Sequence, residues 1–177
     1  SQLNEKELET EQVVKEKNDI IDIINQTIKE TRAISKWIFP TELPHLGLIE
    51  AIRKETGTIS KQTNITITLD TPPHTQTLLE KEHELIIFRV IQETITNAIK
   101  HGQPNIIECQ FLMKESALHI HIFNNGKPIN HNTLNKSNAY GIQSIKNQLQ
   151  RINGEFSIKN KLKPKKGVLA CIKLHLP

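Results

Sequence analysis

The hydrophobic period of this chain changes in its middle, from that of a helix to that of strands. Across residues 78–101, Leu78, Leu79, Leu85, Ile86, Val90, Ile91, Ile95, Ala98 and Ile99 recur with a helical period, the stripe of a helix that buries one side. Strand-like segments follow at residues 106–112 and 117–123. The few residues between them allow only a tight, antiparallel connection. The same arrangement returns downstream. Residues 141–152 read as a helix ending at Asn153 and Gly154, and strands at residues 155–159 and 167–176 flank the basic loop KNKLKPKK. Upstream, Ile65, Ile67 and Leu69 alternate with polar residues in a strand over residues 64–70, and a loop with two prolines follows at 71–75. Helices set between antiparallel strand pairs predict an α+β chain, a two-layer α/β sandwich, and not a mostly parallel sheet.

The N-terminal part has a different character. Val13, Ile20, Ile21, Ile24, Ile28, Ile34 and Ile38 lie at spacings of three, four and seven, so residues 5–38 read as one long amphipathic helix. Isoleucine at these positions suits a helix-pairing seam; a helix lying on its own domain would carry the same pattern. Pro40 and Pro44 stop it. Residues 46–56 then read as a short helix with Leu46, Leu48, Ile49 and Ile52 on one side and Gly57 just past its end. The expected division is a helix over residues 1–40 and a globular domain over 41–177.

At 177 residues, a core can be buried without covalent staples. Cys109 and Cys171, the only cysteines, exclude a disulfide scaffold and a cysteine-rich zinc site and fit a reducing compartment. No run reaches the ~18 apolar residues of a membrane span, and residues 1–19 are too polar for a signal peptide. Charge is uneven: residues 1–50 carry 6 Lys/Arg and 10 Asp/Glu, and residues 101–177 carry 11 and 3. The basic C-terminal part points to an anionic partner. An aromatic content of 4% leaves little on which to stack bases, which argues against nucleic acid.

Four residues carry the most chemistry. Glu93, Asn97, Lys100 and His101 fall on or near one face of the helix over residues 78–101. A carboxylate and an amide one turn apart can hold Mg²⁺ directly or through water, and Lys100 and His101 can meet phosphate oxygens. The bland alternative is a solvated face whose terminal Lys-His pair complements the helix dipole. Asn124, Asn125 and Gly126 follow a strand, but no alternating strand comes after Gly126, so the turn opens a long polar loop over residues 124–138. Tyr140, Gly141 and Ile142 close that loop and begin a helix whose first amides can meet a phosphate.

The segment FRVIQETITNAIKH, residues 88–101, resembles the N box of sensor histidine kinases with a gyrase/chaperone/kinase/mismatch-repair type ATPase domain. It is closest to the subfamily of nitrate sensors and the lipid-fluidity thermosensor. The segment RAISKWIFPTELPHLGL at residues 32–48 resembles the end of that subfamily's second dimerisation helix and its link to the ATPase domain. Residues 122–126 and 140–149 correspond to the two glycine boxes, and residues 167–174 to the closing strand. The resemblance implies a histidine-kinase/gyrase-type ATPase fold at residues 41–177, preceded by the second dimerisation helix at residues 1–40.

The roles it implies are these. Glu93 is the catalytic acid of the N box and, with Asn97, holds Mg²⁺. Lys100 and His101 face the phosphates. Asn124 stands where an aspartate accepts from the adenine amino group, Gly126 lets adenine lie on the backbone, and Gly141 is a glycine of the ATP lid. Residues 125–140 would be that lid, mobile without ligand and ordered by Mg²⁺-ATP. The implied partners are ATP, a response-regulator receiver domain and the dimerisation helix of the same kinase, which is a homodimer at full length. The implied setting is a cytoplasmic domain, with a membrane-anchored sensor as one form of the whole protein. The chain departs from the pattern at Asn124, Pro128, Ala139 and Val168. Asn124 keeps a carbonyl acceptor but no charge, and losing a charge-assisted hydrogen bond costs about 1–2 kcal/mol. A phosphoacceptor histidine is expected on an earlier helix; His83–Glu84 has the right dipeptide but sits on the ATPase-domain helix. These departures keep two other readings open: a non-catalytic scaffold of the same fold, and a chaperone-type ATP hydrolase.

Overall fold

A computed structural model describes residues 43–73, 79–129 and 139–176, with the five helical positions Lys17, Ile20, Ile21, Ile23 and Ile24. The chain divides between Thr41 and Glu42 into two units. In the first, the four described isoleucines are helical and exposed; the rest of the expected long helix lies outside the described residues.

The second unit holds a five-stranded sheet with helices on one face. Its elements are α1 (Leu43–Gln62), β1 (Thr66–Asp70), α2 (Lys81–Asn97) continued by a π turn (Ala98–Gly102), β2 (Ile106–Lys114), β3 (Ala117–Asn124), α3 (Ala139–Gln150), β4 (Gly154–Lys161) and β5 (Gly167–His175). The strands lie in the order β1-β2-β3-β5-β4. Only β1 and β2 run parallel; the other three pairs are antiparallel. This is the expected two-layer α+β arrangement.

Period two decides which side chains enter the core. From β2 come Ile107, Cys109 and Phe111, from β3 Leu118, Ile120 and Ile122, and from β5 Ala170, Ile172 and Leu174. They meet Leu48 and Ile52 of α1, Ile87, Ile91 and Ile95 of α2, and Ile145 and Leu149 of α3. Helix α2 packs against both other helices, so its apolar stripe is covered along its length. The opposite face of the sheet carries His119, His121, Lys159, Lys161 and Lys173, of which Lys159 is exposed and the others are half-buried. Partial burial pushes the His121 imidazole below its ordinary range, and Lys114, His119, Lys161 and Lys159 add to that shift.

Helix α1 is longer than the sequence reading. It does not end before Gly57 but continues to Gln62. Thr56, at a core-facing position, donates its hydroxyl to the Ile52 carbonyl at 2.9 Å, and Ile59 beyond it packs on the core. Thr56 thus continues the stripe that the sequence reading saw end at Ile52. Pro44 lies in the first turn of α1, where its missing N–H costs nothing; it belongs to a helix start. Gly47 bends the entry with φ 73 and ψ 173. Just beyond it, the Leu48 N–H is met by the Glu84 carboxylate from α2.

Candidate nucleotide site

A cavity of about 390 Å³ opens between the end of α2, the start of α3 and the inner face of the sheet. Glu93, Asn97, Lys100, His101, Asn124 and Gly141 all line it. Of the seven site residues that the resemblance implies, only Gly126 is not in that lining; it lies against Gly102 and the Asn124 side chain. The polar face that the sequence leaves open to two readings, ligand-binding or merely solvated, therefore lines a cavity that is open on one side. That space includes Ile122, Ile142, Ile145, Val168 and Ala170.

The π turn shapes this end of the helix. Ala98–Gly102 widens the last turn, so Lys100 and His101 do not follow Glu93 and Asn97 at straight-helix angles. Gln103 then turns left-handed, at φ 50, and the chain enters β2. One turn back, Thr94 donates its hydroxyl to the Val90 carbonyl at 2.6 Å, satisfying a buried polar group beside the cavity. Asn97 Nδ2 donates to Glu93 Oε1 at 2.9 Å. This bond fixes the amide orientation and leaves Asn97 Oδ1 and the second Glu93 oxygen free of it. Gly141 brings the first turn of α3 against the pair: a Cβ there would stand 3.4 Å from Glu93 Oε1 and 3.6 Å from Asn97 Nδ2.

The turn after β3 is held by its asparagines. Asn125 Oδ1 accepts the N–H groups of Asn105 at 2.9 Å and Ile106 at 3.0 Å, so this segment is pinned to the start of β2. Asn124 is buried, 5% exposed, and its Oδ1 accepts the Gly126 N–H at 3.1 Å. The carbonyl that the sequence reading offers to a ligand is thus turned into the backbone. Gly126 lies on Gly102: a Cβ would come 2.5 Å from the Gly102 carbonyl oxygen, so no larger residue fits without movement. The same oxygen accepts the Lys127 N–H at 2.8 Å.

Sequence reasoning missed Asn160. From β4 its side chain grips the backbone of Ile129 twice, Oδ1 accepting the N–H at 2.7 Å and Nδ2 donating to the carbonyl at 2.9 Å. An asparagine at an inward-facing position of β4 was the available signal. The lid expectation falls largely on residues 130–138, which lie outside the described residues. His83 and Glu84 part company: His83 stands 3.9 Å from Glu80 at the surface, and Glu84 is buried. Burial raises the Glu84 carboxyl above its ordinary range, against the lowering effects of the Leu48 N–H and Lys81.

Mg²⁺ takes oxygen ligands and keeps several waters, using one or two protein groups beside phosphate oxygens. Asn97 Oδ1 and the Glu93 carboxylate fit that need. Among the described residues no group of three or more His, Cys, Asp or Glu could hold a metal by itself, so any cation here would depend on ligand oxygens and water.

No family model matches the chain. It is 24% identical over 154 residues to the oxygen sensor histidine kinase NreB of Staphylococcus carnosus, covering 83% of this chain and 44% of that protein. It is 27% identical over 125 residues to the sensor histidine kinase LiaS of Bacillus subtilis, covering 71% and 34%. The chain therefore spans less than half the length of these curated relatives. Among solved structures, a blue-light activated histidine kinase of Erythrobacter litoralis superposes with a TM-score of 0.59 at 15% identity, over 73% of this chain and 45% of that one. The ATP-binding domain of PrrB from Mycobacterium tuberculosis gives 0.55 at 16% identity, over 70% and 90%. The fold is that of the ATP-binding catalytic domains of histidine kinases. In sequence the chain is similar to sensor histidine kinases, the class the N-box resemblance implies. Among the described residues no helix is long and apolar enough to cross a membrane.

Proposed function

We propose that the chain is the ATP-binding catalytic part of a two-component sensor histidine kinase. The observation that carries this is the meeting of Glu93, Asn97, Lys100, His101, Asn124 and Gly141 around one cavity, although they come from three separate segments. The reaction moves the γ-phosphoryl group of ATP to a histidine on a dimerisation helix outside these residues, releasing ADP, and from there to an aspartate of a receiver domain. The work is positioning and charge neutralisation. Asn97 Oδ1 and Glu93 would hold Mg²⁺, which when bound would supply charge neutralisation at the phosphates. Lys100 and His101 meet phosphate oxygens, and the first turn of α3 at Gly141 offers its amides to the same group. Glu93 polarises the incoming histidine. The long N-terminal segment is the second dimerisation helix of a homodimer, and the domain works on the cytoplasmic side.

The test is autophosphorylation of the intact kinase. Glu93→Gln and Asn97→Ala should each abolish it while keeping the fold, and wild-type rates in both would remove these roles. Steady ATP hydrolysis by the chain without phosphotransfer would instead favour a chaperone-type hydrolase, and failure to bind any nucleotide would favour a scaffold.

A further inference from the structure

We infer that Asn124 sets the base preference of the cavity, so that it takes a purine with a 6-oxo group at least as tightly as one with a 6-amino group. This rests on the nucleotide reading above and refines its ligand.

The orientation of one amide decides what the cavity wall offers a base. Asn124 Oδ1 accepts the Gly126 N–H at 3.1 Å. It lies between two glycines, 3.2 Å from where a Cβ on Gly102 would stand and 2.9 Å from one on Gly126. The opposite assignment would set an NH₂ donor against a backbone N–H donor, so chemistry fixes which atom is the oxygen. The nitrogen Nδ2 is left for the cavity and has no acceptor among the described residues. The sheet lines the cavity with Ile122, Asn124, Phe156, Ile158, Val168 and Ala170. Asn124 is the only polar side chain in that wall. Its neighbours in register are apolar, Asn124 pairing with Val168 and Ile122 with Ala170.

A flat heterocycle packed on this wall meets one polar group, and that group donates. The edge facing it must accept. A 6-oxopurine presents an oxygen there and satisfies Nδ2. A 6-aminopurine presents N–H against N–H, leaving two buried donors unsatisfied unless the ring shifts. Sites built to pair a polar edge reject the mismatched partner because buried groups are left without bonds.

The experiment is a calorimetric titration of the 177-residue chain with Mg²⁺-ATP and Mg²⁺-ITP, in the wild type and in Asn124→Asp. ITP differs from adenine nucleotides at the 6-position without the 2-amino group of guanine. In the wild type ITP should bind at least as tightly as ATP. Asn124→Asp replaces the donor with an acceptor, and should move the ATP-to-ITP affinity ratio toward ATP by roughly ten-fold. A wild type that binds ATP more tightly than ITP overturns the inference while leaving the nucleotide site standing. An unchanged ratio in a folded Asn124→Asp variant does the same. Failure of both nucleotides to bind the wild type overturns the site itself. The wild-type ratio decides the question even if the variant does not fold.

Discussion

Replacing glycine by alanine adds one methyl group, and at Gly126 and Gly57 that methyl should act in opposite directions. At Gly126 the new carbon would lie 2.5 Å from the Gly102 carbonyl oxygen and 2.7 Å from its carbon. These are backbone atoms and cannot swing aside. The turn after β3 must separate from the end of α2, which breaks the Lys127 N–H bond to Gly102, now 2.8 Å. Overpacking of this kind costs about 1–3 kcal/mol, and a lost backbone hydrogen bond adds about 0.5–1.5 kcal/mol. A total near 2–4 kcal/mol lowers the melting temperature by about 5–15 °C in a domain of this size. At Gly57 a Cβ meets nothing within 4 Å, and the residue lies inside α1. Alanine there should stabilise by about 0.5–1 kcal/mol through helix propensity. Urea unfolding followed by circular dichroism reads both variants against the wild type. Gly126→Ala within about 0.5 kcal/mol of the wild type would refute the close approach of the two glycine backbones, and with it the niche that orients Asn124.

Other consequences follow from the buried groups. The Glu84 carboxyl is raised by burial, so its contribution to stability is full below its unfolded value and is lost as pH rises through the higher folded value. Glu84→Gln should therefore gain on the wild type as pH increases from acid to neutral in denaturation curves, and a difference independent of pH would count against it. Cys109 is buried with its thiol pushed up to about 12, whereas Cys171 is only half-buried and also raised. Iodoacetamide should label Cys171 well before Cys109 in the native chain; equal rates would mean that β2 opens readily. Asn160→Ala removes both bonds to Ile129. It should speed amide exchange at residue 129 while leaving the exchange of α2 unchanged.

The sandwich was legible because strand and helix periods change cleanly at residues 102–105 and 153–154, and the β2–β3 and β4–β5 pairs are each joined by a short segment. The length of α1 was not legible, because Thr56 holds a core position with its hydroxyl satisfied by its own helix. The N-box face could be read from spacing, but a straight-helix projection misses the π turn that resets Lys100 and His101. The bond from the Gly126 N–H to the Asn124 oxygen is a local Asx turn, but the close approach of both to Gly102, which lies far away along the chain, was not legible. Asn160 escaped notice for the same reason. Its partner is a backbone carbonyl and amide on another segment, and only the folded sheet brings them together.

The end of α2, the turn after β3 and the start of α3 line one cavity, and the proposed function requires it to be a single nucleotide site. Calorimetry of the chain with Mg²⁺-bound ATP and ITP, repeated with Asn97→Ala, decides this. At least one of them should bind saturably at a single site, weakened by roughly ten-fold or more when the oxygen of Asn97 is removed. Heats indistinguishable from dilution at millimolar nucleotide would contradict it, as would binding that Asn97→Ala leaves unchanged.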